Sequence, residues 1–114
     1  MKRLSLLLTV SLIVLILSCG KRGGTPRILV FGKTAGFHHN SIPAGIAAIQ
    51  KLGLQNNFQV DTTTDSKYFN DDSLKNYSAV VFVSTTGNVF DQFQSAAFER
   101  YIQAGGGFVG IHAA

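Results

Sequence analysis

The chain has 114 residues, 46% of them hydrophobic and 14% charged, a balance that excludes a disordered segment and a coiled coil. A sequence pI near 9.5 suggests a nucleic-acid partner, but half of the ten basic residues, Lys2, Arg3, Lys21, Arg22 and Arg27, lie in the N-terminal segment or in or beside the stretch that follows it, up to the first residue of the folded body. From Ile28 onward Lys33, Lys51, Lys67, Lys75 and Arg100 stand against Asp61, Asp65, Asp71, Asp72, Asp91 and Glu99, so the body is nearly neutral and offers no basic face to nucleic acid.

Met1-Lys2-Arg3 is a short basic start, and Leu4 to Leu17 then runs without a charge. A membrane-spanning helix needs about 20 apolar residues, so this run is the core of a signal peptide. Ile16-Leu17-Ser18-Cys19 follows and resembles the bacterial lipobox, with an aliphatic residue at −3, a small one at −1 and the chain's single cysteine next. Residues 1–18 are therefore expected to be a lipoprotein signal peptide, with Cys19 lipidated on its sulfur and, after cleavage, acylated on its amine. Several acyl chains hold a protein on a membrane stably, at about 0.8 kcal/mol per buried methylene. The alternative is an ordinary secretory signal with Cys19 a bystander. One cysteine cannot make an internal disulfide. Residues 19–26 end in the Gly-rich GKRGGTP and read as a flexible tether. Gly20 is not the aspartate that retains lipoproteins at an inner membrane. The expected location is the cell envelope, on the outer membrane where there are two.

Beyond the tether, strands and helices alternate. Arg27–Phe31 is a short branched apolar run and reads as a buried strand. A polar loop, Gly32–Asn40, leads to Ser41, which can cap a helix running to about Leu52 with Ile42, Ile46, Ile49 and Leu52 on one stripe and Gly53 at its end. Phe58–Val60, continuing into Asp61-Thr62, is a second strand. Asp71-Asp72 opens a short helical turn. Ala79–Ser84 is a third strand. Asp91 with Gln94 three residues on predicts a capping box, and the helix it opens carries Phe93, Ala97, Tyr101 and Ala104 on one stripe, with Phe98 and Ile102 beside it. Gly105-Gly106-Gly107 ends that helix, and Phe108–Ile111 is a fourth strand.

Strands alternating with helices predict a parallel sheet, and the unbroken apolar runs of strands one, three and four predict cover on both faces. The simplest open order is 2-1-3-4. No helix follows strand four, which points to a longer domain of which residues 27–114 are the N-terminal part. Gly32-Lys33-Thr34 is not a phosphate loop, since Arg27 stands where that motif needs its first glycine, and GGGFVG at Gly105–Gly110 precedes a strand where a dinucleotide fingerprint opens a helix.

In open parallel sheets ligands sit at the carboxyl ends of the strands. Strand one ends into Gly36-Phe37-His38-His39-Asn40, strand three into Ser84-Thr85-Thr86-Gly87-Asn88, and strand four at His112. Three histidines, two threonines and two amides thus gather on one rim, and imidazole can act as a general base near neutral pH or bind a metal. No metal site is expected, because His38 and His39 are adjacent, a poor spacing for two ligands on one ion, and no folded-body cysteine is available.

The segments ILVFGKTAGFHHNSIPAGIAAIQKLG, FQVDTTTD and FNDDSLKNYSAVVFVSTTGNVFDQFQSAAFERYIQAGGGFVGIHAA resemble the ThuA-like (trehalose utilisation) family over Arg27–Ala114. The pieces that carry it are Gly36-Phe37-His38-His39, Thr85-Thr86-Gly87 and the closing GGGFVGIHAA. The resemblance implies a flavodoxin-like three-layer sandwich similar to class I glutamine amidotransferases, in a domain about twice as long. In those enzymes strand four runs into a turn G-I-C-x-G whose cysteine is the nucleophile. Here the turn reads Gly110-Ile111-His112-Ala113-Ala114, and imidazole cannot form the glutamyl thioester, so that chemistry is excluded.

The resemblance implies a role in breaking down trehalose or a related di- or oligosaccharide. Expected catalytic residues are His112 and His39; expected substrate contacts are His38, Thr85, Thr86 and Gly87. The expected partners are a carbohydrate and, through Cys19, a membrane. A non-catalytic sugar-binding or scaffolding lipoprotein is the other reading. Neither the cofactor nor the oligomeric state follows from the sequence.

Overall fold

A computed structural model describes residues 23–114. The expected signal peptide at 1–18, the lipidation site Cys19 and the start of the tether lie outside the described residues.

Four strands, β1 (Arg27–Phe31), β2 (Gln59–Thr63), β3 (Ala79–Val83) and β4 (Gly107–Ile111), form one parallel sheet in the order β2-β1-β3-β4. The connections contain α1 (Ile42–Asn56), a 3₁₀ turn at Ser66–Tyr68, α2 (Asp71–Leu74) and α3 (Gln92–Gln103). The fold is the expected α/β sandwich of flavodoxin type. Because successive strand residues point to opposite faces, the apolar runs supply two cores at once. Leu29, Phe31, Val80 and Phe82 join Phe69, Leu74, Tyr77, Ala97 and Tyr101 under α2 and α3, whereas Val30, Val81 and Val83 join Ile42 and Ile49 under α1. The register sets Leu29 beside Val80 and Phe31 beside Phe82, so large side chains stack in rows across the sheet.

The capping box forms as predicted: the Asp91 carboxylate accepts the Phe93 and Gln94 N–H groups, each at 2.8 Å, while the Gln94 side chain accepts the Asp91 N–H. Asp71 and Asp72 do not cap α2; Asn70 does, and Asp71 instead pairs with Arg100 of α3 through two hydrogen bonds. That guanidinium holds the Asp71 carboxyl below the usual carboxylate range. The pair is exposed, so it orients α2 against α3 more than it stabilises the fold.

Three expectations about packing change. First, α1 continues to Asn56, and the cap is Asn57 in the left-handed region (φ 57°). Gly53 is buried inside the helix: a Cβ there would lie 2.7 Å from Val60 Cγ2 and 2.8 Å from the Phe58 carbonyl oxygen, so this glycine lets the helix lie on the start of β2. The buried line therefore runs Ile42, Ile49, Gly53, and Leu52 is half exposed; Ser41 makes no side-chain cap. Second, the buried stripe of α3 is Ala97 and Tyr101 with Phe98 packed beside them, whereas Phe93 is 75% exposed. Third, the cover on both faces that the apolar run of β4 predicts is absent among the described residues, as a strand with no helix after it leaves an edge and a face open. Phe108 packs edge-on to Phe82, but Phe108, Val109 and Ile111 all stay substantially exposed, because side chains point to the faces of the sheet and little among the described residues lies over either face of β4.

At the amino end of the sheet the Tyr77 hydroxyl donates to Asp61 at 2.8 Å, and Arg27 pairs with the same carboxylate oxygen at 2.6 Å. Burial, and then the hydrogen bond to Asp61, push the Tyr77 phenol up to about 12. A phenol raised in the folded state binds its proton more tightly there than when unfolded. Its stabilisation is complete below pH 10 and is lost as the pH climbs from about 10 to about 12. Tyr77→Phe is expected to cost about 1 kcal/mol at neutral pH and to flatten that alkaline decline, measured by urea unfolding between pH 8 and 12. An unchanged alkaline slope in the variant would show that the phenol does not cause it.

Candidate functional site

The rim at the carboxyl ends of the strands is built from three loops. Beyond β1, the segment from Gly32 to Ser41 stays irregular because glycines and polar side chains give it no periodic apolar face. Its far end is fixed by α1, whose Ile42 N–H donates to the His39 carbonyl at 3.2 Å. Its middle is stitched to the loop after β3: the Ala35 and Gly36 N–H groups both donate to the Thr86 carbonyl, at 2.7 and 3.1 Å, and the Thr86 hydroxyl donates to the Phe37 carbonyl. Gly87 has φ 75°, and a Cβ on it would lie 2.8 Å from Gly36 N, so the two backbones touch where only glycine fits.

This stitching carries the β1 loop across the end of β3 to the end of β4. There the His39 ring meets the His112 ring edge to face at 4.6 Å between centroids, and Phe37 meets the other side of His39 at 4.8 Å. The row Phe37, His39, His112 spans strands that are not neighbours in the sheet. Phe37 is 71% exposed, His39 is half-buried and His112 is exposed.

The backbone under His112 is unusual. His112 has φ 59° and Ser84, after β3, has φ 52°. Val83 pairs with Ile111, and the Ser84 N–H donates to the Ile111 carbonyl at 3.0 Å, so the two left-handed residues lie side by side. Such a conformation costs about 1–2 kcal/mol for a residue with a Cβ. The pairing of β3 with β4 holds both outliers at the carboxyl ends of these adjacent strands.

The sequence-predicted residues separate as follows. The structure brings His39 and His112 together. Thr86 and Gly87 sit against the β1 loop and shape it. Thr85 is buried, 7% exposed, beneath the rim. His38 is exposed, its Nδ1 3.5 Å from the Thr34 hydroxyl, at the limit of a hydrogen bond. Among the described residues, no three His, Cys, Asp or Glu side chains converge as a metal site would need.

Two features escaped the sequence reading. Phe37 was visible as the one large apolar residue in a polar loop. Lys33, which belongs to no phosphate loop, has another role: its ammonium donates to the Ser66 hydroxyl at 2.8 Å, and that buried hydroxyl donates to the Val89 carbonyl at 2.7 Å. Three of the loops at the carboxyl ends are tied by one lysine and one serine, contacts that no local pattern announces. A hollow of about 430 Å³ between Tyr77, Ser78, Tyr101 and Gly106 lies at the opposite, amino end of the strands, away from the histidines and from the end where parallel sheets bind ligands.

A family model described as ThuA, trehalose utilisation, matches residues 27–114. The crystal structure of a ThuA-like protein from Bacteroides uniformis ATCC 8492 superposes with a TM-score of 0.67 at 25% sequence identity, covering 83% of this chain and 39% of that one. This chain thus spans well under half the length of that relative. No curated protein matches it.

Proposed function

Because the chain belongs to the ThuA, trehalose-utilisation family, we propose that it is a lipid-anchored envelope protein that binds and processes a di- or oligosaccharide, or an oxidised derivative of one, at the His39–His112 rim. The observation that carries this reading is the pairing of the two imidazoles at 4.6 Å, one of them on a left-handed residue at the end of β4. Two imidazoles at that separation can reach the same hydroxyl or glycosidic oxygen. Each can accept a proton through one ring nitrogen and donate through the other, which suits acid–base work on a sugar. In this reading Thr86 and Gly87 shape the rim, and His38 and Thr85 are further candidates for substrate contact.

The test replaces His112 by asparagine, not alanine. Asparagine tolerates the left-handed region, so the backbone is spared and only the imidazole is lost. In the full-length protein, His112→Asn is expected to lower turnover of trehalose or its oxidised derivative about 10²–10⁴-fold, with little change in melting temperature. Equal binding and turnover in variant and parent would remove His112 from the site. Binding that persists in the parent without any turnover favours the non-catalytic sugar-binding reading.

Anchoring rests on Ile16-Leu17-Ser18-Cys19 after an uncharged apolar run. Cys19→Ala is expected to abolish incorporation of labelled palmitate and to release the protein from the membrane fraction. Label retained by the variant would sink the lipoprotein reading and leave a secreted protein.

A further inference from the structure

We infer that Phe37 is the platform on which a pyranose ring of the substrate stacks, with the His39–His112 pair at the edge of that ring. The inference rests on the reading that the rim takes a sugar, and it deepens that reading by naming the ring form recognised and the residue that selects it.

Phe37 is 71% exposed, yet it is not on a loose loop. Its carbonyl accepts the Thr86 hydroxyl, and the residues before it are bound to the Thr86 carbonyl. The ring is fixed on its other side by the edge-to-face contact with His39 at 4.8 Å. What singles out this exposed ring is its company: it stands on a pinned backbone beside two imidazoles, so one small surface is apolar at Phe37 and hydrogen-bonding at His39 and His112. The adjoining groups define the ligand. A flat apolar face next to two imidazoles matches a molecule that is apolar on one face and rimmed with hydroxyls. A pyranose in its chair form is such a molecule, with C–H groups on one side and hydroxyls around the edge. The C–H face meets the negative face of the phenyl ring, and the equatorial hydroxyls reach the imidazole nitrogens. A linear polyol has the hydroxyls without the apolar face, so the platform discriminates against it.

Three variants of the full-length protein separate stacking from simple bulk: Phe37→Ala, Phe37→Leu and Phe37→Tyr. Calorimetric titration with trehalose and with methyl α-glucopyranoside is the readout, with mannitol as the linear control. The expected result is a Kd raised about tenfold in the Ala and Leu variants and kept within about twofold in the Tyr variant, with all melting temperatures close to the parent's. Leucine supplies the volume without the flat face, so a Leu variant that binds like the parent overturns the inference. So does an Ala variant of unchanged affinity when His112→Asn has lost binding; that outcome leaves the rim as a sugar site and removes only Phe37. A parent protein that binds neither sugar overturns both the reading and the inference.

Discussion

Phe69→Ala is expected to remove about 3–5 kcal/mol of stability. The side chain is 1% exposed, and its ring lies 4.7 Å from Phe31, 4.3 Å from Phe90, 5.5 Å from Phe98 and 5.8 Å from Phe82. It belongs to an aromatic cluster that joins the loop after β2 and the helix α3 to one face of the sheet. Neighbouring rings cannot close around the cavity without leaving their contacts with the strands, so the space stays largely empty. Small domains have a margin of about 5–15 kcal/mol, and the variant would sit near the edge of folding. Phe93→Ala is the matched control. At 75% exposure it should change stability by no more than about 0.5 kcal/mol. Urea unfolding of both proteins decides the question, and equal losses would return Phe93 to the buried stripe of α3.

Gly87→Ala should damage the site more than the fold. At φ 75° an alanine costs about 1–2 kcal/mol from its own backbone. The added Cβ would also lie 2.8 Å from Gly36 N and 3.0 Å from the Ala35 carbonyl carbon, both backbone atoms that cannot swing aside. Relief requires the β1 and β3 loops to part, which breaks the hydrogen bonds from Ala35 and Gly36 to Thr86. Parting them carries Phe37 and His39 away from His112. The expected result is a protein that still unfolds cooperatively but has lost affinity for trehalose by at least about tenfold. Parental affinity in Gly87→Ala would show that the rim does not depend on the stitched loops. The same substitution at Gly36 meets only Thr86 Oγ1 at 3.3 Å as its closest neighbour and should be milder.

Much of this protein is written locally. The apolar runs at Arg27–Phe31 and Ala79–Val83, separated by helical spacing and punctuated by Asp91 and Gly105–Gly107, determine an alternating α/β chain, because strand and helix periods and their end signals are properties of neighbouring residues. The same alternation implies the 2-1-3-4 order, since short connections leave few parallel arrangements, and with it the end of the sheet where the histidines lie. Which face of a helix is buried was less legible. In α3 the helical spacing set Phe93 on the stripe of Ala97 and Tyr101 with Phe98 beside it, but the cluster around Phe69 draws in Phe98 and leaves Phe93 exposed. Gly53 read as a terminator but serves as a contact, because the approach of Val60 is invisible until the strand folds back onto the helix. The site shows the limit most clearly. The sequence alone placed His39 and His112 on one rim. Their meeting was decided only by the tertiary structure, because β3 lies between their strands and the β1 loop must cross it, pinned by Thr86 and Gly87, before the two rings can touch.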